Sequence, residues 1–86
     1  MKPFDINYYS AEKFFQDYLY LKEGTLFVTA DDPYSPKTQI AVNFNVPRID
    51  YTFQLNGTVV RYRDRKTAEK LDKPSGMLIR FEEDMD

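Results

Sequence analysis

The chain of 86 residues contains no cysteine, no histidine and no tryptophan, and it has only three glycines. Without cysteine it can form neither disulfides nor thiolate metal sites, and it has no thiol nucleophile. Without histidine it lacks the most frequent general acid or base near neutral pH and the commonest ligand of transition metals. The few glycines do not form a glycine-rich phosphate-binding loop. These absences argue against an enzyme and predict no bound cofactor or metal.

Charge and hydropathy limit the classes of protein further. The formal net charge is -2, and this acidic balance opposes non-specific binding of nucleic acid. No run approaches the roughly 20 apolar residues that span a membrane, and the first residues lack the apolar segment of a signal peptide. We therefore expect a cytoplasmic protein without membrane insertion, forming one small domain over residues 1–86 with an acidic tail at 82–86.

The first strong pattern in the sequence predicts a helix over about residues 11–21. The apolar side chains of one face recur there at helical spacing, namely Ala11, Phe14, Phe15, Tyr18 and Leu19. Ser10 is a typical N-cap residue, and Gly24 is a typical stop signal after the last turn.

After Gly24 the apolar residues alternate with a period of two, which is typical of β-strands. The alternation covers residues 25–30, 39–46, 51–55, 58–63 and 77–82. The charged segment 64–75 predicts a loop with at most a turn of helix near 67–71. The pattern therefore predicts a mainly β fold of four or five antiparallel strands, whose sheet curls or closes over its core.

Asn56 and Gly57 allow two interpretations of the segment around them. Asn-Gly between two alternating runs is a strong signal for a β-hairpin turn. The alternative is one long strand with a bulge at Gly57, and it accounts equally well for the change of phase between Leu55 and Tyr62. The residues alone leave both interpretations open.

Arg61, Arg63 and Arg65 alternate along the chain, so on a regular strand they would share one face. Guanidinium groups bind phosphates through two hydrogen bonds, so such a row could bind a nucleotide or a phosphorylated partner. The alternative is a charged strand edge that prevents pairing between molecules. Residues 61–73 include six basic and three acidic side chains, which makes this segment the best candidate contact surface.

Lys22 and Gly24 form a second candidate ligand-binding position. A glycine lets the backbone approach a ligand closely, whereas the alternative is that Gly24 only ends the helix.

The chain is rich in aromatic residues, with seven tyrosines and seven phenylalanines. We expect most of them to fill the core, because each buries a large area in a small protein. A surplus on the surface could serve a homodimer interface. Beside basic residues it would also suit a small barrel that binds single-stranded nucleic acid, although the acidic balance makes this the weakest alternative.

Three segments resemble, in this order, those of the PilZ domain family: residues 24–28 (GTLFV), 55–60 (LNGTVV) and 75–81 (SGMLIRF). The resemblance covers roughly residues 20–82 and is to the short, divergent branch associated with type IV pili. It implies a small six-stranded antiparallel barrel with one short N-terminal helix. It also favours the long bulged strand over the hairpin, and it implies a role in bacterial signalling linked to cyclic di-GMP, type IV pili, motility or secretion.

Family members that bind cyclic di-GMP carry an N-terminal R-x-x-x-R motif and a D/N-x-S-x-x-G motif. No arginine precedes Arg48 in this chain, and Tyr20, Lys22 and Thr25 replace the three defining residues of the second motif. The resemblance therefore implies an adaptor that acts by protein–protein contact, with direct cyclic di-GMP binding doubtful. A pilus assembly ATPase or another signalling protein is the expected partner, and a cyclic di-GMP receptor using the arginine row is the alternative.

Overall fold

The computed structural model describes residues 1–48 and 53–82 and has a mainly β fold, as predicted. Its elements are β1 (Lys2–Asn7), α1 (Ala11–Leu21), β2 (Thr25–Thr29), β3 (Gln39–Asn45), β4 (Phe53–Arg63), α2 (Arg65–Leu71) and β5 (Gly76–Phe81). The described strands form one curled sheet in the order β1-β3-β4-β5-β2, so β1 and β2 are its edges.

Helix α1 begins and ends where the sequence predicts. The Oγ atom of Ser10 accepts a hydrogen bond from the backbone N–H of Lys13 at 3.2 Å, which satisfies one of the free donors of the first turn. Phe14 and Leu21 are buried against the concave face of the sheet. Gly24 follows with φ of +88°, a backbone conformation that favours glycine and turns the chain into β2.

Strand β1 was not predicted, and it pairs with β3 in parallel rather than antiparallel orientation. Phe4 and Ile6 pack against the core, whereas Asp5 lies on the opposite face, where it accepts a hydrogen bond from Asn43 Nδ2 at 2.8 Å. The described residues thus form five strands and two helices, not six antiparallel strands and one helix. Alternation identifies a strand but not the direction of its partner, and a parallel pair requires a long connection, here through α1 and β2.

Strand β4 passes through Asn56 and Gly57 without turning, so the hairpin interpretation is wrong and the long strand is confirmed. Gly57 pairs with Ile40 on one side and Phe81 on the other. The bulge lies three residues beyond Gly57, because Val59 pairs with Ile79 whereas Arg61 pairs with Leu78, which leaves Val60 as the extra residue.

The core is centred on Phe44, which is completely buried. Its ring stacks on that of Phe53 with centroids 4.8 Å apart, and the rings of Phe14 and Phe81 contact it at 6.4 and 6.1 Å. The prediction that aromatic residues fill the core holds only in part. Several remain exposed, namely Tyr9, Phe15, Tyr20, Phe27 and Tyr62.

Tyr8 joins the first loop to α1, since its hydroxyl donates a hydrogen bond to Asp17 Oδ2 at 2.7 Å. Burial, together with this hydrogen bond, raises the pKa of Tyr8 well above its ordinary value. The folded state therefore favours the protonated phenol. This stabilisation is fully present below the ordinary tyrosine pKa of about 10 and is lost as the pH rises above it.

We expect Tyr8→Phe to lower the free energy of unfolding at pH 8 by about 1 kcal/mol, because the hydrogen bond to Asp17 is lost. The same change should flatten the fall in stability above about pH 10, where the wild-type phenol ionises on unfolding. Urea unfolding at several pH values measures both effects. Tyr9→Phe is the matched control, because Tyr9 is exposed, and an equally flattened profile for that variant would contradict the assignment.

Candidate contact surface

Phe27 lies on the outer face of the sheet, which points away from the core. Its neighbours Leu26 and Val28 are buried on the inner face, and the alternation of β2 turns the Phe27 ring outwards, where it is 40% exposed. Phe27 pairs with Leu78 of β5, whose side chain is half-buried on the same outer face. Together they form an apolar centre on an otherwise polar surface.

Arg63 lies over this centre because Gly76 has no side chain. Gly76 pairs with both Thr29 and Arg63, and a Cβ atom on it would lie 2.7 Å from Phe27 Cζ. The guanidinium carbon of Arg63 is 5.6 Å from the centroid of the Phe27 ring, a cation–π distance. A hydrogen bond from Arg63 Nη1 to the carbonyl oxygen of Pro74, at 3.0 Å, holds the guanidinium there.

The bulge at Val60 explains why Arg61 and Arg63 face outwards. In a regular strand they would share the face of Val59, which is buried in the core. The extra residue shifts the alternation by one, so Arg61 pairs with Leu78 and is exposed beside it. A local irregularity therefore gives two arginines to the surface instead of forcing them into the core.

Arg80 completes this surface and was not among the ligand-binding residues predicted from the sequence. It follows Leu78 by two residues on the outward face of β5, between Thr25 and Thr58, and it is exposed. Its position was visible in the alternation of residues 77–81, but only the strand register brings it near Arg61. We refer to Phe27, Leu78, Arg61, Arg63 and Arg80 as the Phe27 face.

The Phe27 face combines an apolar centre with three arginines that form no ion pair among the described residues. Within residues 1–48 and 53–82, the one ion pair is that of Lys13 with Asp17 at 3.4 Å, so none of the three arginines is paired with a described carboxylate. A shallow hollow of ≈ 210 Å³ opens between Phe27, Leu78 and the side chains of residues 61–63. Such a surface suits a ligand that presents an apolar or planar group beside carboxylates or phosphates.

Arg65 does not belong to this surface, so the row of three arginines predicted from alternation does not form. Asp64 is the N-cap of α2, and its Oδ1 atom accepts a hydrogen bond from the backbone N–H of Thr67 at 2.8 Å. This bond lowers the pKa of Asp64. Because the cap begins a helix directly after β4, Arg65 lies in the first turn of α2 and lines a separate hollow with Glu69 and Asp72.

Lys22 and Gly24 lie near the other end of the Phe27 face. Lys22 is the C-cap of α1, and the carbonyl oxygen of Gly24 accepts a hydrogen bond from the N–H of Phe81 at 2.8 Å. Lys22 and Gly24 precede Thr25, which pairs with Arg80. Arg63 is in register with the opposite end of β2, about 13 Å from Thr25. The five residues predicted as ligand-binding are therefore distributed over three places.

Comparisons with family models, curated proteins and solved structures gave no significant match. Neither described helix has the length and apolar character needed to cross a membrane. In the part of the chain that the structure describes, no group of acidic side chains is arranged to hold a metal ion.

Proposed function

We propose that the protein is a non-enzymatic PilZ-like adaptor that acts by protein–protein contact through the Phe27 face. The observation that carries this proposal is the pair of the exposed Phe27 and the half-buried Leu78, bordered by three arginines that form no ion pair with a described carboxylate. Burial of the apolar centre would supply affinity, and the arginines would select the partner. The partner then presents an apolar side chain beside acidic groups.

The relationship to PilZ domains is part of this proposal. In its support, the three segments that resemble the family become the adjacent strands β2, β5 and β4, and β4 continues through Gly57 as the resemblance implies. The described residues differ from the family barrel in having five strands and in leaving β1 and β2 unpaired with each other. The proposed setting is cytoplasmic regulation linked to cyclic di-GMP, type IV pili, motility or secretion, with a pilus assembly ATPase or signalling protein as partner.

The test is affinity capture from the native cell. It compares the wild-type protein with two triple variants, each of which loses three positive charges. Arg61→Ala/Arg63→Ala/Arg80→Ala removes the charge of the Phe27 face, and Arg65→Ala/Lys66→Ala/Lys70→Ala removes the same charge from α2. We expect a partner that the wild type and the α2 variant retain and that the Phe27-face variant loses at least tenfold. Equal retention by both variants would contradict a role for this face.

A second candidate function is a nucleotide receptor, favoured by the position of Arg63 over the Phe27 ring. A base could stack at this ring while guanidinium groups bind the phosphates. Calorimetry with cyclic di-GMP separates the two functions. The adaptor predicts no binding in the micromolar range, whereas micromolar binding that the Phe27-face variant loses and the α2 variant keeps would replace the adaptor with a receptor. Binding of an oligonucleotide, falling steeply with salt, would instead indicate a nucleic-acid-binding surface.

A further inference from the structure

Helix α1 carries a second apolar surface that contributes little to the core. Phe14 and Leu21 face the sheet, but Phe15 is 61% and Leu19 is 67% exposed. Large apolar side chains that stand next to each other on a surface mark a site of association more often than scattered ones do. The residues that flank this pair indicate which partner fits it.

The exposed pair is the centre of a four-residue stripe with opposite charges at its ends. Glu12, Phe15, Leu19 and Lys22 follow one another at intervals of three, four and three residues, which is the spacing of a helix–helix seam. Lys22 keeps a helical backbone with φ of -63° and ψ of -25°, so it continues the stripe. Among the described residues, neither Glu12 nor Lys22 forms an ion pair. We name these four residues the α1 stripe.

We propose that the α1 stripe is a homodimer interface in which two copies of the chain pack α1 against α1 in antiparallel orientation. A two-fold axis passing level with Asp17 places Phe15 of each copy against Leu19 of the other. The same axis places Glu12 of each copy opposite Lys22 of the other, which makes two symmetric ion pairs. A parallel arrangement would instead oppose Glu12 to Glu12 and Lys22 to Lys22, so the charges select a second copy in the antiparallel orientation.

The surface beside the stripe extends this interface. A groove of ≈ 670 Å³ lies next to Phe15 and is also lined by Tyr9, which is 86% exposed, and by Pro47. In the antiparallel arrangement the end of α1 that contains Leu19 in the second copy approaches this groove. Because α1 is only about 16 Å long, the helices alone bury less than the area of a stable dimer, and the groove supplies part of the remainder. We therefore expect a weak dimer whose population depends on concentration.

The dimer does not depend on the proposed function, because the Phe27 face and the α1 stripe share no residue. Tyr20 and Asp17 border Phe27, whereas Glu12 and Phe15 of the α1 stripe line the groove beside Pro47. The proposed contacts of the dimer thus include no residue of the Phe27 face. Loss of dimerisation and loss of partner capture can be measured separately.

Charge reversal across the stripe tests the proposal by sedimentation equilibrium over a concentration series reaching the millimolar range. Glu12→Lys and Lys22→Glu each replace two attractive pairs by two repulsive ones, so each should raise the dimer dissociation constant roughly tenfold. The double variant Glu12→Lys/Lys22→Glu restores both pairs with reversed sign, and we expect it to dimerise as the wild type does. Glu69→Lys and Lys66→Glu, exposed on α2, are the matched controls and should change nothing.

The recovery by the double variant is the decisive result. Glu12→Lys also weakens the N-terminal turn of α1, since Glu12 is its only acidic residue, but the double variant keeps that defect. Far-UV circular dichroism checks that each variant is folded. A wild-type chain that stays monomeric throughout the series overturns the proposal, and so does a double variant that is no better than the single ones.

Discussion

Replacement of Phe44 by alanine is expected to lower the free energy of unfolding by about 4 kcal/mol, close to the total stability of a small domain. Phe44 is completely buried in β3 and contacts three other aromatic rings, those of Phe14, Phe53 and Phe81. Its removal leaves a cavity between α1 and the sheet that the rings of Phe53 and Phe81 cannot fill, because β3, β4 and β5 are fixed by their pairing. We expect the variant to be largely unfolded at 37 °C.

Urea unfolding of the Phe44→Ala variant, followed by circular dichroism, measures this loss. Phe15→Ala is the control, since it removes the same atoms from an exposed ring, and it should change the free energy of unfolding by less than about 1 kcal/mol. Both variants are compared at one low protein concentration, so that association does not contribute. Similar losses for the two variants would mean that the core is not centred on Phe44.

Local signals predicted the elements that local interactions determine. The bounds of helix α1 could be predicted, because the Ser10 cap and the helical spacing of the apolar residues both lie within a dozen residues. At Asn56 and Gly57 the same local reasoning left the hairpin and the long strand open. The long strand forms because β4 is paired on both sides through Gly57, and two ladders of hydrogen bonds outweigh a turn preference. The capping signal of Asp64 with Thr67 was present in the sequence and explains why Arg65 leaves the arginine row.

The Phe27 face was only partly predictable, because it depends on register. Alternation gave the outward direction of Phe27 and Arg80 within their own strands. Nothing local shows that β5 lies between β2 and β4, which brings Phe27, Leu78 and Arg61 into one row. The bulge at Val60 is also a consequence of this pairing, and without it the arginines would face the core. The sequence therefore indicates which face of its own strand each residue occupies, and the sheet order determines which residues meet.

Replacement of Gly76 by alanine is the second change for which we expect a large effect, a loss of roughly 3 kcal/mol in the free energy of unfolding. An added Cβ would overlap the backbone carbonyl oxygen of Val28 and would lie 2.7 Å from Phe27 Cζ. The carbonyl cannot move without separating β2 from β5. The ring can move, but only by giving up its position under the Arg63 guanidinium.

A double-mutant cycle separates these two overlaps. Phe27→Ala removes the ring, so in that background Gly76→Ala should lower the free energy of unfolding by less than it does in the wild type. A loss of about 1–2 kcal/mol should remain, because the overlap with the Val28 carbonyl is unchanged. Gly24→Ala is the control for glycine replacement alone. Nothing lies within 4 Å of its added Cβ, so its cost, about 1 kcal/mol, comes only from the positive φ. A Gly76→Ala variant no less stable than Gly24→Ala would show that β2 and β5 are not packed as closely as this register requires.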